Sequence, residues 1–285
     1  MLLVGTETAL LDLDADRALI EGVSVTAING DVALINKHRV VRIGDLTDLG
    51  SLDARDGQSV APLPDGTVLV GRTGARLAIV SAGEALPVTS FEEVPGRDDW
   101  ENPANPTPDT RTLAVDSRGR IFVNVHVGGL WMSSDRGTTW HGVVEPEADI
   151  HEVVNADGRV AVAAAVGFGW SDDGTTWKWT TDGLHASYAR AAALDGDAAY
   201  VSAANGPFAR QGAVYRARVG ARFERCEKGL PEWFPGNVDS GCVAARAGRA
   251  AIGTETGAVY VSNDAGTTWE VAVDGLSAVR SVRFS

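Results

Sequence analysis

The sequence predicts an all-β protein in which seven four-stranded antiparallel units close into a ring. Three observations predict this fold: a recurring turn motif, short apolar strands at regular spacing, and matching segments near the two ends of the chain. The 285 residues are 44% hydrophobic and 22% charged, which is typical of a globular protein. A chain of this length needs no disulfide or metal to fold. We expect residues 1–285 to form a single domain.

The strongest observation is the turn motif. Three segments combine a short apolar strand, an Asp/Gly turn and the run Thr-Thr-Trp: LWMSSDRGTTW (130–140), FGWSDDGTTW (168–177) and VYVSNDAGTTW (259–269). The first and second tryptophans are 37 residues apart, and the second and third are 92 residues apart. The second distance is twice 46. A degenerate copy is therefore expected between the last two. VYRARVGARF (214–223) fits, because Phe223 lies 46 residues from each flanking tryptophan. Such a fixed period is the signature of a repeat architecture.

Each motif predicts a tight hairpin turn. Its aspartate would accept backbone N–H groups, its glycine would supply a positive φ, and its tryptophan would pack between neighbouring repeats. The residues concerned are Asp135, Gly137 and Trp140; Asp172, Gly174 and Trp177; and Asp264, Gly266 and Trp269. Because the turn recurs, its carboxylates are interpreted as structural rather than catalytic.

The motif resembles the Asp-box (BNR) repeat, S-x-D-x-G-x-T-W, of sialidases, other glycoside hydrolases, sortilin-type receptors and photosystem II assembly factors. The first and third copies match it fully, through Ser133, Asp135, Gly137, Thr139 and Trp140, and through Ser262, Asp264, Gly266, Thr268 and Trp269. The second copy has Trp170 where the first serine belongs. The resemblance implies a β-propeller in which the box is a structural turn, away from any active site.

Strand patterns divide the chain into blades. Six units are predicted at 23–52, 59–94, 111–144, 151–181, 189–228 and 242–273, each with four short strands separated by Gly/Asp/Asn turns. The remaining segments are 1–22 and 278–284. MLLVGTET at the start matches AAIGTETG (250–257), a second strand of its blade. The first strand of the seventh blade should therefore come from the other end of the chain, which would close the ring and remove an exposed sheet edge.

The formal net charge of −13 argues against binding to nucleic acids or anionic membranes. No apolar run reaches the roughly 20 residues that span a bilayer, and the first residues lack a basic region and a cleavage site. We expect a cytoplasmic monomer.

Cys226 and Cys242 fall on distant strands and are not expected to pair. No cofactor is expected, since no nucleotide-binding or zincin motif is present.

Two long loops on the predicted ligand-binding face of the ring are candidate binding elements. The segment 95–111 is rich in proline and contains Trp100, and 229–241 presents Trp233 and Phe234. Long irregular insertions in a compact repeat are often functional. These aromatics are predicted to contact a ligand, although a rigid cover over the channel is an equal alternative for each loop.

Three histidines, His126, His151 and His185, fall in loops or strand starts of consecutive blades. They could act as general acids or bases, or hold a metal with Glu147 or Asp149; solvated or hydrogen-bonded histidines are the simpler interpretation. Sialidases use a tyrosine nucleophile, and Tyr188 is the loop tyrosine that such chemistry would need. Sialidase activity is not favoured, because seven blades differ from the sialidase six.

Arg111, Arg190 and Arg280 lie near the starts of innermost strands, where side chains can face the channel mouth. Guanidinium groups there would bind a carboxylate or phosphate. Glu7 and Glu255 occupy equivalent positions of adjacent blades and could instead form ion pairs with Arg280. Ligand binding and structural pairing both remain open for these residues.

The predicted function is a non-catalytic binding or assembly module that holds a small molecule, glycan or protein partner around the central channel. The alternative is an enzyme on the same face, using the histidines or a pair of carboxylates as in glycoside hydrolases. The candidate carboxylates are Asp98, Asp99, Glu101, Glu147, Asp149, Glu232 and Asp239.

Overall fold

The computed structural model describes residues 1–100 and 107–285. Seven antiparallel sheets of four strands each are present in this part of the chain. Their innermost strands contact one another in cyclic order, and the last returns to the first. The predicted seven-bladed β-propeller is therefore confirmed.

The strands of each blade are numbered from the channel outwards. Blade 1 contains Val279–Phe284, Leu2–Thr6, Ala9–Asp12 and Arg17–Glu21. Blade 2 contains Val25–Asn29, Val32–Ile35, Arg39–Arg42 and Asp48–Ser51. Blade 3 contains Gly57–Pro62, Val68–Arg72, Arg76–Ser81 and Glu84–Pro87. Blade 4 contains Thr110–Val115, Ile121–Val125, Gly129–Ser133 and His141–Val144.

The remaining blades follow the same order. Blade 5 contains Ile150–Ala156, Arg159–Ala164, Gly167–Ser171 and Lys178–Thr180. Blade 6 contains Tyr188–Asp195, Ala198–Ala204, Ala213–Arg218 and Glu224–Arg225. Blade 7 contains Val243–Arg246, Arg249–Gly253, Val259–Ser262 and Glu270–Val273. Short 3₁₀ helices lie at Thr89–Glu93, Arg97–Asp99 and Pro146–Ala148.

Blade 1 joins the two ends of the chain as the sequence predicts. Leu2 pairs with Phe284 and Val4 with Val282, antiparallel. The matching segments occupy equivalent places, since Gly5 and Gly253 each abut the first strand of the next blade. A Cβ at Gly5 would lie 2.5 Å from Val25, and one at Gly253 would lie 2.4 Å from Val279. Glycine is needed at both positions because any side chain would separate the blades.

Cys226 and Cys242 are both buried and free, in line with the prediction that they do not pair. Across the described part of the chain, we find no helix with the length and apolar character that a membrane crossing requires.

The first and third turn motifs share one hydrogen-bond network. In the first, Oδ1 of Asp135 accepts the backbone N–H groups of Thr138 at 3.1 Å and Thr139 at 2.9 Å. The Ser133 hydroxyl donates to the same carboxylate and accepts from Gly137 N–H at 2.8 Å. Hydrogen bonds from Thr139 lower the pKa of Asp135 to about 2. Asp264 has the same set of partners.

The second motif corrects one prediction. The carboxylate that holds this turn is Asp173, not Asp172: it accepts the N–H groups of Thr175 and Thr176 at 2.7 Å each, and Ser171 donates to it. The turn is one residue shorter between its aspartate and glycine than the other two. Ser171 therefore takes the serine position, whereas Asp172 forms an ion pair with Arg159 at 2.7 Å.

The motif aromatics pack against the preceding blade to different extents. Trp140 is buried and lies edge-on to Phe91 of the blade 3–4 connection, with ring centroids 4.9 Å apart. Trp269 is also buried, whereas Trp177 is half-buried. Phe223, the predicted replacement in blade 6, is buried 5.4 Å from Phe168 of blade 5.

Each motif turn also accepts a hydrogen bond from the preceding blade or its connection. The Ser90 hydroxyl donates to the Gly137 carbonyl at 2.5 Å, Arg120 donates to the Asp173 carbonyl, and Arg216 donates to the Ala265 carbonyl at 2.8 Å. The turns therefore link neighbouring blades near their outer edge, in addition to closing hairpins.

We expect Asp173→Ala to lower the Tm of unfolding by several degrees, because two backbone N–H groups of the turn lose their acceptor. Asp172→Ala is the matched control one residue away. It removes surface ion pairs, which stabilise proteins weakly, and should lower the Tm by less than half as much. Thermal unfolding followed by circular dichroism compares the two, and equal effects would contradict the assignment of Asp173.

Candidate functional site

A cavity of about 360 Å³ occupies the central channel. Its wall consists of innermost-strand residues of blades 1 to 5, of segment 237–242 at the end of the blade 6–7 connection, and of the loop residues Asp109, His126 and Glu255. This volume is in the range of small-molecule sites.

Bulges in the innermost strands determine which side chains surround one end of this channel. In six blades the pairing between the first and second strands slips near the start of the first strand. A β-bulge of this kind re-aims the side chain of the extra residue. The residues at the slips are Arg280, Thr26, Gln58, Arg111, His151 and Arg190, in blade order. We call this end, together with Asp149 and Asp239 from the adjoining loops, the channel mouth.

Two of the predicted arginines meet at the channel mouth. Arg190 Nη1 lies 2.8 Å from Asp239 Oδ1, and Arg111 Nη2 lies 3.5 Å from the same oxygen. Burial alone would raise the pKa of Asp239, but Arg190 and Arg111 outweigh it and the pKa is lowered. Burial lowers the pKa of Arg111, and the negative charge of Asp239 partly offsets this decrease. The result is a pair of guanidinium groups held around one carboxylate.

Beside this group, His126 and His151 flank Asp149. His151 is fully buried, and its Nδ1 lies 2.6 Å from the Ala189 carbonyl, so this nitrogen donates. Its Nε2 lies 3.4 Å from Asp149 Oδ2, and His126 Nε2 lies 3.8 Å from Asp149 Oδ1. Burial, followed by the charge of Arg111, lowers the pKa of His126 to about 4. His126 is therefore neutral at pH 7.

Tyr188 joins the two groups. Its ring lies 4.6 Å from that of His151, centroid to centroid, and Arg190 Nη2 donates to its hydroxyl at 3.4 Å. His185 has other partners: its Nδ1 lies 2.7 Å from the Tyr215 hydroxyl and its Nε2 lies 3.2 Å from the Gln211 carbonyl. Within residues 1–100 and 107–285, no group of three His, Cys, Asp or Glu side chains is arranged to hold a metal ion. The structure thus offers no support for the three-histidine metal hypothesis.

Arg280 forms an ion pair with Glu7 across blade 1, which is the structural alternative considered for these residues. Glu255 and Arg280 line the channel cavity together. Their charges interact, since Glu7 and then Glu255 raise the pKa of Arg280.

The structure corrects the prediction that Trp100 and Phe234 contact a ligand, because both side chains are buried. Trp100 is only 7% exposed and packs 6.0 Å from Phe91 in the core beneath the blade 3–4 connection. Phe234 is 4% exposed and lies edge-on to Tyr260 at 5.7 Å. Trp233 is half-buried, and Arg225 covers its ring at 3.9 Å. All three side chains are therefore engaged in packing with neighbouring side chains.

The candidate carboxylates separate into two sets. Asp149 and Asp239 pair with residues of the channel mouth. Glu101 lies outside the described residues. The others, Asp98, Asp99, Glu147 and Glu232, are exposed.

Sequence reasoning missed Glu152. This residue is 6% exposed, and its carboxylate accepts the Ala192 N–H of blade 6 and the Gly241 N–H beside blade 7, both at 2.9 Å. Burial raises its pKa to about 7. Thr112 and Ser281 make the equivalent link to the next blade in blades 4 and 1. The signal available in the sequence was a carboxylate at the position where blades 4 and 1 have a hydroxyl.

Glu152 predicts a pH dependence of stability. Its pKa is about 7 in the folded protein against 4.5 unfolded, so its contribution is complete below pH 4.5 and is lost as the pH rises to 7. The loss is about 3 kcal/mol. We expect Glu152→Gln to gain this amount relative to wild type between pH 4.5 and 7, measured by urea unfolding.

His126 supplies the matched control of opposite sign. Its pKa falls from 6.5 to about 4 on folding, so its contribution is present above pH 6.5 and is lost as the pH falls towards 4. His126→Asn should therefore lose stability relative to wild type as the pH rises. A pH-independent difference between Glu152→Gln and wild type would contradict the role given to Glu152.

Comparison with known proteins supports the fold alone. No protein-family model and no curated protein matches the chain. Among solved structures, U3-55K is similar with a TM-score of 0.65 at 11% identity, over 94% of this chain and 88% of that one. A structure in a nidogen/laminin complex gives a TM-score of 0.58 at 12% identity, over 99% and 97%.

The GH74 xyloglucanase of Xanthomonas campestris gives a TM-score of 0.54 at 19% identity, over 94% of this chain and 45% of that one. This chain therefore spans less than half the length of that enzyme. The similar structures include enzymes and proteins of other kinds, and what they share with this chain is the propeller.

Proposed function

We propose that this protein is a non-catalytic binding propeller whose channel mouth holds a small molecule through a carboxylate group. The observation that carries the proposal is the convergence of Arg111 and Arg190, from blades 4 and 6, on the carboxylate of Asp239. A ligand carboxylate would be recognised by the same chemistry.

Arg111 is the residue best placed to accept such a ligand. A guanidinium has five N–H donors, and among the hydrogen bonds of the described residues Arg111 makes one side-chain bond, the 3.5 Å contact with Asp239. Its side chain is 20% exposed and lines the cavity. Arg190, by contrast, is held by Asp239 and Tyr188 and serves to fix the carboxylate beside Arg111.

The charge of the molecule supports a small-molecule ligand over a nucleic acid or an anionic membrane, since the net charge is −13. One closed ring contains the whole channel mouth, which supports a monomer as the binding unit.

We also assign the three turn motifs to the Asp-box class. The shared serine, aspartate and glycine hydrogen bonds support this assignment. The shorter second copy keeps the same network. In this interpretation the boxes stabilise the blades and take no part in ligand binding.

A hydrolase is the second candidate, because two carboxylates that line the same cavity have opposite pKa shifts. Burial raises the pKa of Glu152, whereas the nearby arginines lower that of Asp239. Opposed pKa values are typical of acid–base pairs in glycosidases. Both oxygens of Glu152 are engaged by backbone N–H groups, however. This engagement favours a structural role.

The two candidates are distinguished by activity. We expect no release of sugar from a broad panel of glycosides at pH 5–8, measured with a reducing-sugar assay. Hydrolysis that is lost in both Asp239→Asn and Glu152→Gln would favour the hydrolase instead.

For the binding function, we expect Arg111→Ala to weaken binding of small carboxylic acids at least tenfold, because the free guanidinium donors are removed. A panel of mono- and dicarboxylic acids, followed by ligand-observed NMR, provides the measurement. Arg17→Ala is the control, since Arg17 is 64% exposed on the outermost strand of blade 1. Equal binding by wild type and Arg111→Ala would overturn the proposal.

A further inference from the structure

The balance of charges around the channel mouth indicates more about the ligand than its carboxylate. Three arginines, Arg111, Arg190 and Arg280, stand at the mouth. Five carboxylates stand at or beside it: Glu7, Asp109, Asp149, Asp239 and Glu255. His126 adds no positive charge at pH 7, because burial first, and then Arg111, lower its pKa to about 4. A ligand that carries only negative charge would be attracted by Arg111 but repelled by the surrounding carboxylates and by the whole chain.

Asp239 has an oxygen available for a positive group. Its Oδ1 accepts from Arg190 at 2.8 Å, from Arg111 at 3.5 Å and from the Ser240 N–H at 3.0 Å. Its Oδ2 accepts no hydrogen bond from the described residues, and the side chain is 50% exposed. The carboxylate therefore uses one oxygen to hold the arginines and leaves the other open.

Asp109 provides a second acceptor in the same cavity. Its Oδ1 is buried and has no hydrogen-bond partner among the described residues, and Asp109 lines the cavity together with Arg111 and Asp239. A buried carboxylate oxygen without a donor is costly, so rotation of the Asp109 carboxylate towards a ligand donor in the cavity would be favourable.

We propose that the ligand is a small zwitterion, such as an α-amino acid, whose carboxylate binds Arg111 and whose ammonium binds Asp239 Oδ2, with Asp109 as a further acceptor. In an α-amino acid the two charged groups are attached to one carbon atom. Arg111 and Asp239 are likewise in contact, at 3.5 Å. This inference rests on the proposed function and adds the class of the ligand.

The test compares ligands that share one carbon skeleton. The twenty standard L-amino acids are first screened against wild type by ligand-observed NMR. The best of them is then compared with its hydroxy acid, which lacks the ammonium, and with its amine, which lacks the carboxylate. We expect the amino acid to bind at least tenfold more tightly than either analogue.

The outcomes separate the two proposals. If the hydroxy acid binds as tightly as the amino acid, the carboxylate site stands and the zwitterion is overturned. If no compound that carries a carboxylate binds, both proposals fail. If the amine alone binds, the acidic groups form the site and Arg111 has no role in it.

Variants give an independent answer. Asp239→Asn should weaken binding of the amino acid at least tenfold. The hydroxy acid should bind as tightly as before or more tightly, because a carboxylate that repels it and competes for Arg111 is removed. Arg111→Gln should weaken binding of both. Asp31→Asn, on a 60% exposed side chain of blade 2, is the control. Circular dichroism verifies folding of each variant, and Asp109→Asn replaces Asp239→Asn if the latter unfolds. Equal loss of both ligands in the folded aspartate variant would overturn the proposed role of the acidic groups.

Discussion

The channel depends on side-chain hydrogen bonds that join innermost strands of neighbouring blades. Neighbouring blades pack face to face, and in the described residues the backbone ladders lie within single blades. Instead, Thr112 accepts the Val153 N–H at 3.0 Å, Glu152 accepts the Ala192 N–H at 2.9 Å, and Ser281 accepts the Ile28 N–H at 3.3 Å. These contacts fix the distance between strands around the cavity, and with it the positions of the side chains at the channel mouth.

A bulge lies next to each of these links and supplies the side chains of the candidate binding site. In the six blades that have it, the bulge places one side chain at the channel mouth without interrupting the contacts below it. Four of the six bulged residues carry charged or titratable groups, namely Arg280, Arg111, His151 and Arg190. A propeller can therefore change its ligand chemistry at these positions while the inter-blade hydrogen bonds of the next residue stay in place.

Much of the architecture was predictable because the sequence repeats indicate the length and the order of the blades. The spacing of Trp140, Trp177 and Trp269 determined the blade period, and the match around Gly5 and Gly253 indicated which segment completes blade 1. Asp172 was predicted wrongly because the three motifs were aligned on their Thr-Thr-Trp runs. The second motif lacks one residue between its aspartate and its glycine, and only the hydrogen bonds of Asp173 show this.

The site was predictable in part. Arg111 and Arg190 were found because strand starts surround a channel, and their convergence on Asp239 depends on a long loop whose path no local pattern determines. The same difficulty explains Trp100: a proline-rich segment suggests exposure, but here the tryptophan completes a core of aromatic rings. Glu152 was missed because its burial depends on partners 40 and 89 residues away.

Closure by two distant segments also has a consequence for how the molecule folds. Leu2 and Phe284 are paired neighbours in blade 1, so the ring contains a contact between residues almost the whole chain apart. Contacts of such sequence separation slow folding, because the entropy of bringing the segments together is lost before any contact forms. During synthesis on the ribosome, the strand Leu2–Thr6 lacks its inner neighbour until Val279–Phe284 has been made. Its buried edge must stay protected from other chains during that time.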